Sequence, residues 1–181
     1  MEIEIIKFLQ GAKSSFFDVF FGTFTYLGGF LGFVILFFVL FYYSKKYSIV
    51  FGCSYAIIML INTLLKIIIN RARPYEVDNE IISVITASGR SFPSGHMASA
   101  TVIAIFALYY VYRKIKNKNI KILSTCVGLI FLMFVAISRM YLGQHFLSDI
   151  VAGFCLGVFL GITILMLCNK IYKNICKQKQ K

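Results

Sequence analysis

An all-α, multi-pass membrane helical bundle is the fold this sequence predicts, with about five transmembrane helices plus an N-terminal interfacial helix. The first observation behind it is composition. The chain is 59% hydrophobic and 14% charged, with a mean hydropathy of +0.81. That is too apolar for a soluble domain of 181 residues. The second is run length. Apolar stretches occupy residues 22–43, 47–69, 95–112, 121–138 and 146–167. At the helical rise each reaches ~27–35 Å, matching the hydrocarbon core of a bilayer. None alternates with a period of two, which argues against barrel strands. The third is the placement of charge, described below. The five runs use nearly the whole chain, so residues 1–181 are read as one domain with a motif-bearing core at 66–149.

Taken in order, residues 1–21 carry Glu2, Glu4, Lys7, Lys13 and Asp18. These are too many charges for an easy span, so an interfacial helix and then a turn at Ser14 and Ser15 are expected. A secretory signal peptide is not expected: a basic leading segment is missing, and the apolar stretch 16–43 is too long. The first run contains Gly28 and Gly32, and the last contains Gly153, Gly157 and Gly161. Small residues four apart make a face on which another helix packs closely. Cys53, Cys126, Cys155, Cys168 and Cys176 form no CxxC pair and read as small buried apolar residues.

The connections between runs differ in charge. Lys45 and Lys46 follow the first run. Arg113, Lys114, Lys116, Lys118 and Lys121 separate the third from the fourth. Lys170, Lys173, Lys177, Lys179 and Lys181 end the chain. Together these are twelve of the 19 basic residues, and none of the seven acidic residues lies among them. Alternate basic connections follow the positive-inside rule and mark a cytoplasmic face, where they also attract anionic headgroups. The net charge of +12 is therefore explained by the bilayer, and nucleic acid is not an expected partner. Segments 70–94 and 139–145, with the N-terminus, are expected on the other side of the cell membrane. The sequence sets no oligomeric state.

Three polar clusters belong to that outer side. The first, KIIINRARP, offers Lys66, Arg71 and Arg73, with Pro74 ending the helix. Basic side chains snorkel at helix ends, but three at the outer end oppose the charge bias of this chain. The second, SFPSGHMASA, sets Ser94 and Gly95 at the start of a helix. Free backbone N–H groups, a partial positive charge and a glycine together make an anion site, although a plain serine cap would use the same residues. His96 follows directly, and a histidine at a membrane-helix start suggests a proton or a metal to handle. In the third, SRMYLGQHFLSD, Arg139 closes one run and Gly143 permits a turn. His145 and Asp149 stand four apart, where a helix would let them hydrogen-bond. A carboxylate on one ring nitrogen aims the other outward as nucleophile, base or metal ligand. Two histidines and an aspartate could hold a metal. Lys66, Arg71, Arg73 and Arg139 converging there would repel a divalent cation and suit phosphate instead. The set describes a phosphoryl-transfer site.

These clusters resemble the three motifs of the type-2 phosphatidate phosphatase superfamily, which is related to vanadium haloperoxidases and glucose-6-phosphatase. The family pattern K-x6-RP, PSGH and SR-x5-H-x3-D fits Lys66 to Arg73-Pro74, Pro93-Ser94-Gly95-His96, and Ser138-Arg139 to His145 to Asp149. The resemblance implies a lipid phosphate phosphatase. His145 would be the nucleophile, Asp149 its orienting carboxylate and His96 the acid for the leaving group. Lys66, Arg73, Ser94, Gly95 and Arg139 would bind phosphate. It implies no metal and no cofactor. Arg71 falls outside the pattern and reads as a rim residue. Many relatives have six spans, whereas five and an interfacial segment are expected here. Among bacterial lipid substrates, the resemblance favours undecaprenyl diphosphate over phosphatidylglycerol phosphate or phosphatidate. A rival of another class is a non-catalytic lipid-binding or transport protein on the same scaffold.

Overall fold

The computed structural model describes residues 1–85 and 89–178, with side chains to residue 171. Lys179 and Lys181, and the side chains of Lys173, Cys176 and Lys177, lie outside the described residues. The helices are α1 (Glu2–Gln10), α2 (Ser15–Gly28), α3 (Phe30–Tyr43), α4 (Lys45–Ile69), α5 (Pro74–Val77), α6 (Gly95–Lys114), α7 (Lys118–Tyr141) and α8 (Leu147–Gln178). Four of them, α4, α6, α7 and α8, are long and apolar enough to cross a membrane, α4 together with the short α5. The bent pair α2–α3 makes a fifth span if counted as one. Phe38, Leu129, Phe159 and Met166 stand more than 60% exposed on the outside of the bundle, where hydrocarbon would cover them.

The caps explain most boundaries. Ser14 accepts a hydrogen bond from the Phe17 N–H at 3.3 Å and starts α2. Asn117 accepts from Asn119 and Ile120 at 2.8 and 3.3 Å and starts α7. α4 stops at Asn70, which adopts φ 51°, a left-handed cap that asparagine tolerates. Pro74 does not end α4, as expected, but begins α5, where its missing N–H is no loss.

One further expectation needs correction, and another gains detail. The first span is not a single run over 22–43. It begins at Ser15 and breaks at Gly29, with a 48° bend between α2 and α3. The N-terminal helix is not merely laid on a surface. Ile6 is fully buried in a cluster with Ile81, Met97, Met140 and Phe146. Gln10 bonds the carbonyls of Ile82 and Tyr141, each at 2.8 Å. Lys7 pairs with Asp78 at 2.9 Å and Glu80 at 2.8 Å. Hydrogen bonds to Glu80 and Asp78 hold the Lys7 ammonium above the usual lysine range. These contacts strap α1 across one end of the bundle.

α6 runs through the centre and packs against α2, α3, α4, α7 and α8. Its Ala98, Ala100, Val102 and Phe106 are all buried. The expected glycine face is real: a Cβ at Gly153 would overlap the Ser94 carbonyl, one at Gly157 would sit 2.7 Å from Thr101 Cβ, and one at Gly161 would touch Ile105. Gly28 meets Val135 of α7 in the same way, while Gly32 sits against the Leu27 carbonyl inside the bend. Three cysteines depart from expectation. Cys53, Cys126 and Cys155 are exposed on outward helix faces, and Cys168 is half-buried.

Candidate active site

α4 and α7 end where α6 and α8 begin, so the three polar clusters meet at one end of the bundle. The basic connections after α3 and between α6 and α7 lie at the opposite end. Between the converging termini is a cavity of about 390 Å³. Lys66, Arg73, Gly95, His96, Arg139 and His145 line it, as do Asn62 and Gly29, and no acidic side chain does.

Each cation is aimed by neighbours. Lys66 Nζ donates to the carbonyl of Arg90, with the carbonyl of Ser91 at 3.4 Å. Arg73 Nε donates to the Gly89 carbonyl at 2.9 Å, and Nη1 to Gln144 Oε1 at 2.9 Å. Gln144 Nε2 in turn donates to Ser83 Oγ and the Ile85 carbonyl, each at 2.9 Å. Gln144 therefore ties the α7–α8 turn, shaped by Gly143 at φ +73°, to the long segment between α5 and α6. Arg139 is 1% exposed, and its Nη1 donates to Thr25 Oγ1 at 2.6 Å. Among the described residues, Arg139 Nε and His145 Nδ1 are buried without a hydrogen-bond partner.

The second cluster supplies the floor. Ser94 caps α6 by accepting from Met97 N at 3.4 Å, and its own N–H donates to the Asp149 carbonyl at 2.9 Å. Ser94 is fully buried and is not among the lining residues, whereas Gly95 and His96 are. Asn62 reaches across from α4 to the Pro93 carbonyl at 3.3 Å.

His145 and Asp149 do not form the expected hydrogen bond. Nδ1 stands 3.7 Å from Oδ2. The reason is local: α8 begins at Leu147, so His145 precedes the helix and shares no turn with Asp149. The Asp149 carboxylate caps the helix start instead. Its Oδ2 accepts from the Phe146 N–H at 2.9 Å and from the Ser91 hydroxyl, and its Oδ1 from Arg71 Nη1 at 2.6 Å. Asp149 thus stands behind His145 rather than in the cavity wall. Burial, reinforced by Arg139, Lys66 and Arg73, holds the His145 ring below the ordinary histidine range, against the pull of Asp149. A neutral ring is the nucleophilic form.

The structure thus brings Lys66, Arg73, Gly95, His96, Arg139 and His145 to one cavity, places Asp149 behind His145, and leaves Ser94 beneath the floor. Five participants escaped the sequence reading: Arg71 as a partner of Asp149, Ser91, Gln144, Thr25 and Asn62. Asn62 and Thr25, polar residues inside apolar runs, carried a signal of their own. No group of three metal-ligating side chains gathers among the described residues.

The profile of the PAP2 superfamily matches residues 47–173. Phosphatidylglycerophosphatase B of Bacillus subtilis (strain 168) is 34% identical over 114 residues, 62% of this chain and 51% of that protein. The lipid A 4′-phosphatase of Bacteroides thetaiotaomicron is 26% identical, covering 94% of this chain and 78% of its own length. The chain thus spans about half the length of the Bacillus relative. Among solved structures, a transmembrane PAP2-type phosphatidylglycerolphosphate phosphatase from Bacillus subtilis superposes with a TM-score of 0.80 at 26% identity, over 94% of this chain and 85% of that one. Aquifex aeolicus LpxE superposes at 0.76 and 25% identity, over 90% of this chain and 93% of that one.

Proposed function

The chain belongs to the PAP2 superfamily, and from that premise we propose that it is an integral membrane phosphatase of lipid phosphate monoesters, with phosphatidylglycerophosphate as the favoured substrate. One observation carries the lipid reading. The cationic cavity shares Gly29, Phe30 and His96 with an apolar crevice of about 440 Å³, lined also by Tyr26, Leu31 and Val34. A phosphate among the cations would leave its lipid portion in that crevice, with the bridging oxygen beside His96.

The chemistry then follows from placement. Lys66, Arg73 and Arg139 hold the phosphate oxygens with the α6 N-terminus at Gly95, and offset charge in the transition state. Ser94 serves by capping that helix start. His145 Nε2 attacks phosphorus, the bond to the lipid oxygen breaks, and His96, which takes up a proton as the phosphate dianion offsets the surrounding cations, gives that oxygen its proton. Asp149 steadies the positive charge on His145. Water then attacks the phosphohistidine, the P–N bond breaks, and the proton of water returns to His96. The mechanism uses no metal or cofactor. The cavity opens on the outer side of the cytoplasmic membrane, opposite the basic connections.

The substrate choice revises the expectation drawn from the resemblance. The relatives are named for phosphatidylglycerophosphate and lipid A rather than for undecaprenyl diphosphate. The decisive experiment is phosphate release by detergent-purified protein from phosphatidylglycerophosphate, phosphatidate, lipid A and undecaprenyl diphosphate. The highest kcat/KM on phosphatidylglycerophosphate supports the reading. A preference for undecaprenyl diphosphate overturns the substrate, and no release from any lipid leaves the non-catalytic rival standing.

A further inference from the structure

We propose that Arg71 is a positioning residue: bridging Asp149 and Glu2, it decides how much of the Asp149 charge reaches His145. The inference rests on the reading of His145 as the nucleophile. Arg71 is not placed like a snorkelling surface arginine. Nη1 donates to Asp149 Oδ1 at 2.6 Å and to Ser148 Oγ at 2.7 Å. Nη2 donates to Glu2 Oε2 at 3.1 Å, and the guanidinium lies 4.2 Å from the Phe146 ring centroid. Glu2 Oε1 also accepts from the Ser148 N–H at 2.6 Å, which ties α1 to the start of α8. Both ends of the guanidinium fork are therefore held, one on Asp149 and one on Glu2.

The consequence is electrostatic. His145 is faced by Arg139 of α7, Lys66 of α4, Arg73 before α5 and His96 of α6, all cationic or able to become so. Asp149 is the acidic group that answers them, 3.7 Å from Nδ1. An arginine on its other oxygen neutralises much of that carboxylate. His145 then stays neutral and ready to attack, yet keeps a carboxylate near enough to steady the imidazolium once the phosphorus bond forms. Removing the Arg71 charge exposes the whole of Asp149 to the ring and favours its protonated form. Removing the Glu2 charge does the reverse, because Arg71 then acts on Asp149 undivided. A purely structural strap predicts otherwise: loosening α1 by either change would admit water and shift the ring in the same direction.

The chain has two histidines, so histidine-labelled protein gives two pairs of ring-nitrogen signals by NMR, assigned with a His96→Gln variant. In Arg71→Gln, and in Arg71→Met, which keeps a stem over Phe146, the His145 pKa is expected to rise by ~1 unit. The acid limb of kcat/KM should move with it, lowering the rate up to ~10-fold on that limb. Arg71→Lys should restore it, and Glu2→Gln should leave it at or below the wild-type value. No rise in a folded neutral variant, or an equal rise in Glu2→Gln, overturns the proposal. The ring signals need no turnover. A wild type that releases no phosphate therefore removes the phosphatase reading without touching this measurement.

Discussion

Gly29 lies directly against His96: a Cβ at position 29 would stand 3.1 Å from both Cδ2 and Nε2 of the ring. The break between α2 and α3 therefore does two things at once. It bends the first span, and it leaves the space in which the proposed acid meets both the polar cavity and the apolar crevice.

His96→Ala should act in proportion to how much the leaving group needs a proton. A glycerol oxygen is strongly basic once it leaves, so phosphatidylglycerophosphate and phosphatidate turnover should fall by ~10²–10⁴. Nitrophenyl phosphate, whose leaving group is weakly basic, should be largely spared in its initial burst. Gly29→Val, which presses on the ring, should show the same ranking more weakly. An equal loss for every leaving group would make His96 a phosphate binder and not the acid.

Asp149→Asn should retain the fold and cut turnover by ~10²–10⁴, by analogy with other histidine–aspartate pairs. An amide carries no charge to steady the imidazolium, and it takes the charge from the partner that Arg71 holds at 2.6 Å. Steady-state kcat in a variant with wild-type circular dichroism is the readout. Wild-type turnover would remove Asp149 from the mechanism.

Packing and site are linked at Gly153, whose added Cβ would overlap the Ser94 carbonyl. Gly153→Val must push α8 from the start of α6, disturbing the 2.9 Å bond from Ser94 N–H to the Asp149 carbonyl. A loss of about 1–3 kcal/mol is expected from overpacking, with a fall in phosphate release well below the unfolding temperature. Thermal unfolding in detergent followed beside activity tests both, and stability lost with full activity retained would uncouple them.

The cationic lining leads us to expect activity without a metal. Lys66, Arg73 and Arg139 line the cavity without an acidic neighbour in its wall. Phosphate release should persist in EDTA, and vanadate should inhibit by adopting the five-coordinate shape of the transition state at His145. Activity lost to EDTA and returned by a divalent cation would overturn the mechanism.

Topology is testable in a background lacking the native cysteines. Asn79→Cys on the pocket side should react with an impermeant thiol reagent on intact cells. Lys116→Cys, at the basic end, should react only after lysis. The opposite pattern would turn the active site toward the cytoplasm.

Much of this was legible in the chain itself because the signals are local. Apolar runs of bilayer length announce helices whatever they pack against. The motif residues Lys66, Arg73, His96, Arg139 and His145 sit at run ends, and ends of alternating helices must meet on one side. The glycine spacing in the last run announced a close helix contact, and the structure gives the partner as α6. Where sequence spacing failed, the cause was also local. His145 and Asp149 are four apart, but the helix starts between them, so spacing alone could not tell a shared turn from a cap.

What the tertiary structure alone decided is which long-range side chains meet. Arg71 and Asp149 are 78 residues apart in the chain, and Glu2 joins them from the first helix. No periodicity encodes such a triad, because it depends on how α1 crosses the bundle end and on the αL cap at Asn70 that turns the chain before Arg71. Sequence set the chemical groups and the end of the bundle they occupy, since hydrophobic length and charge bias act residue by residue. Only the packed fold assigned their partners, because a buried charge takes the nearest complementary group in space.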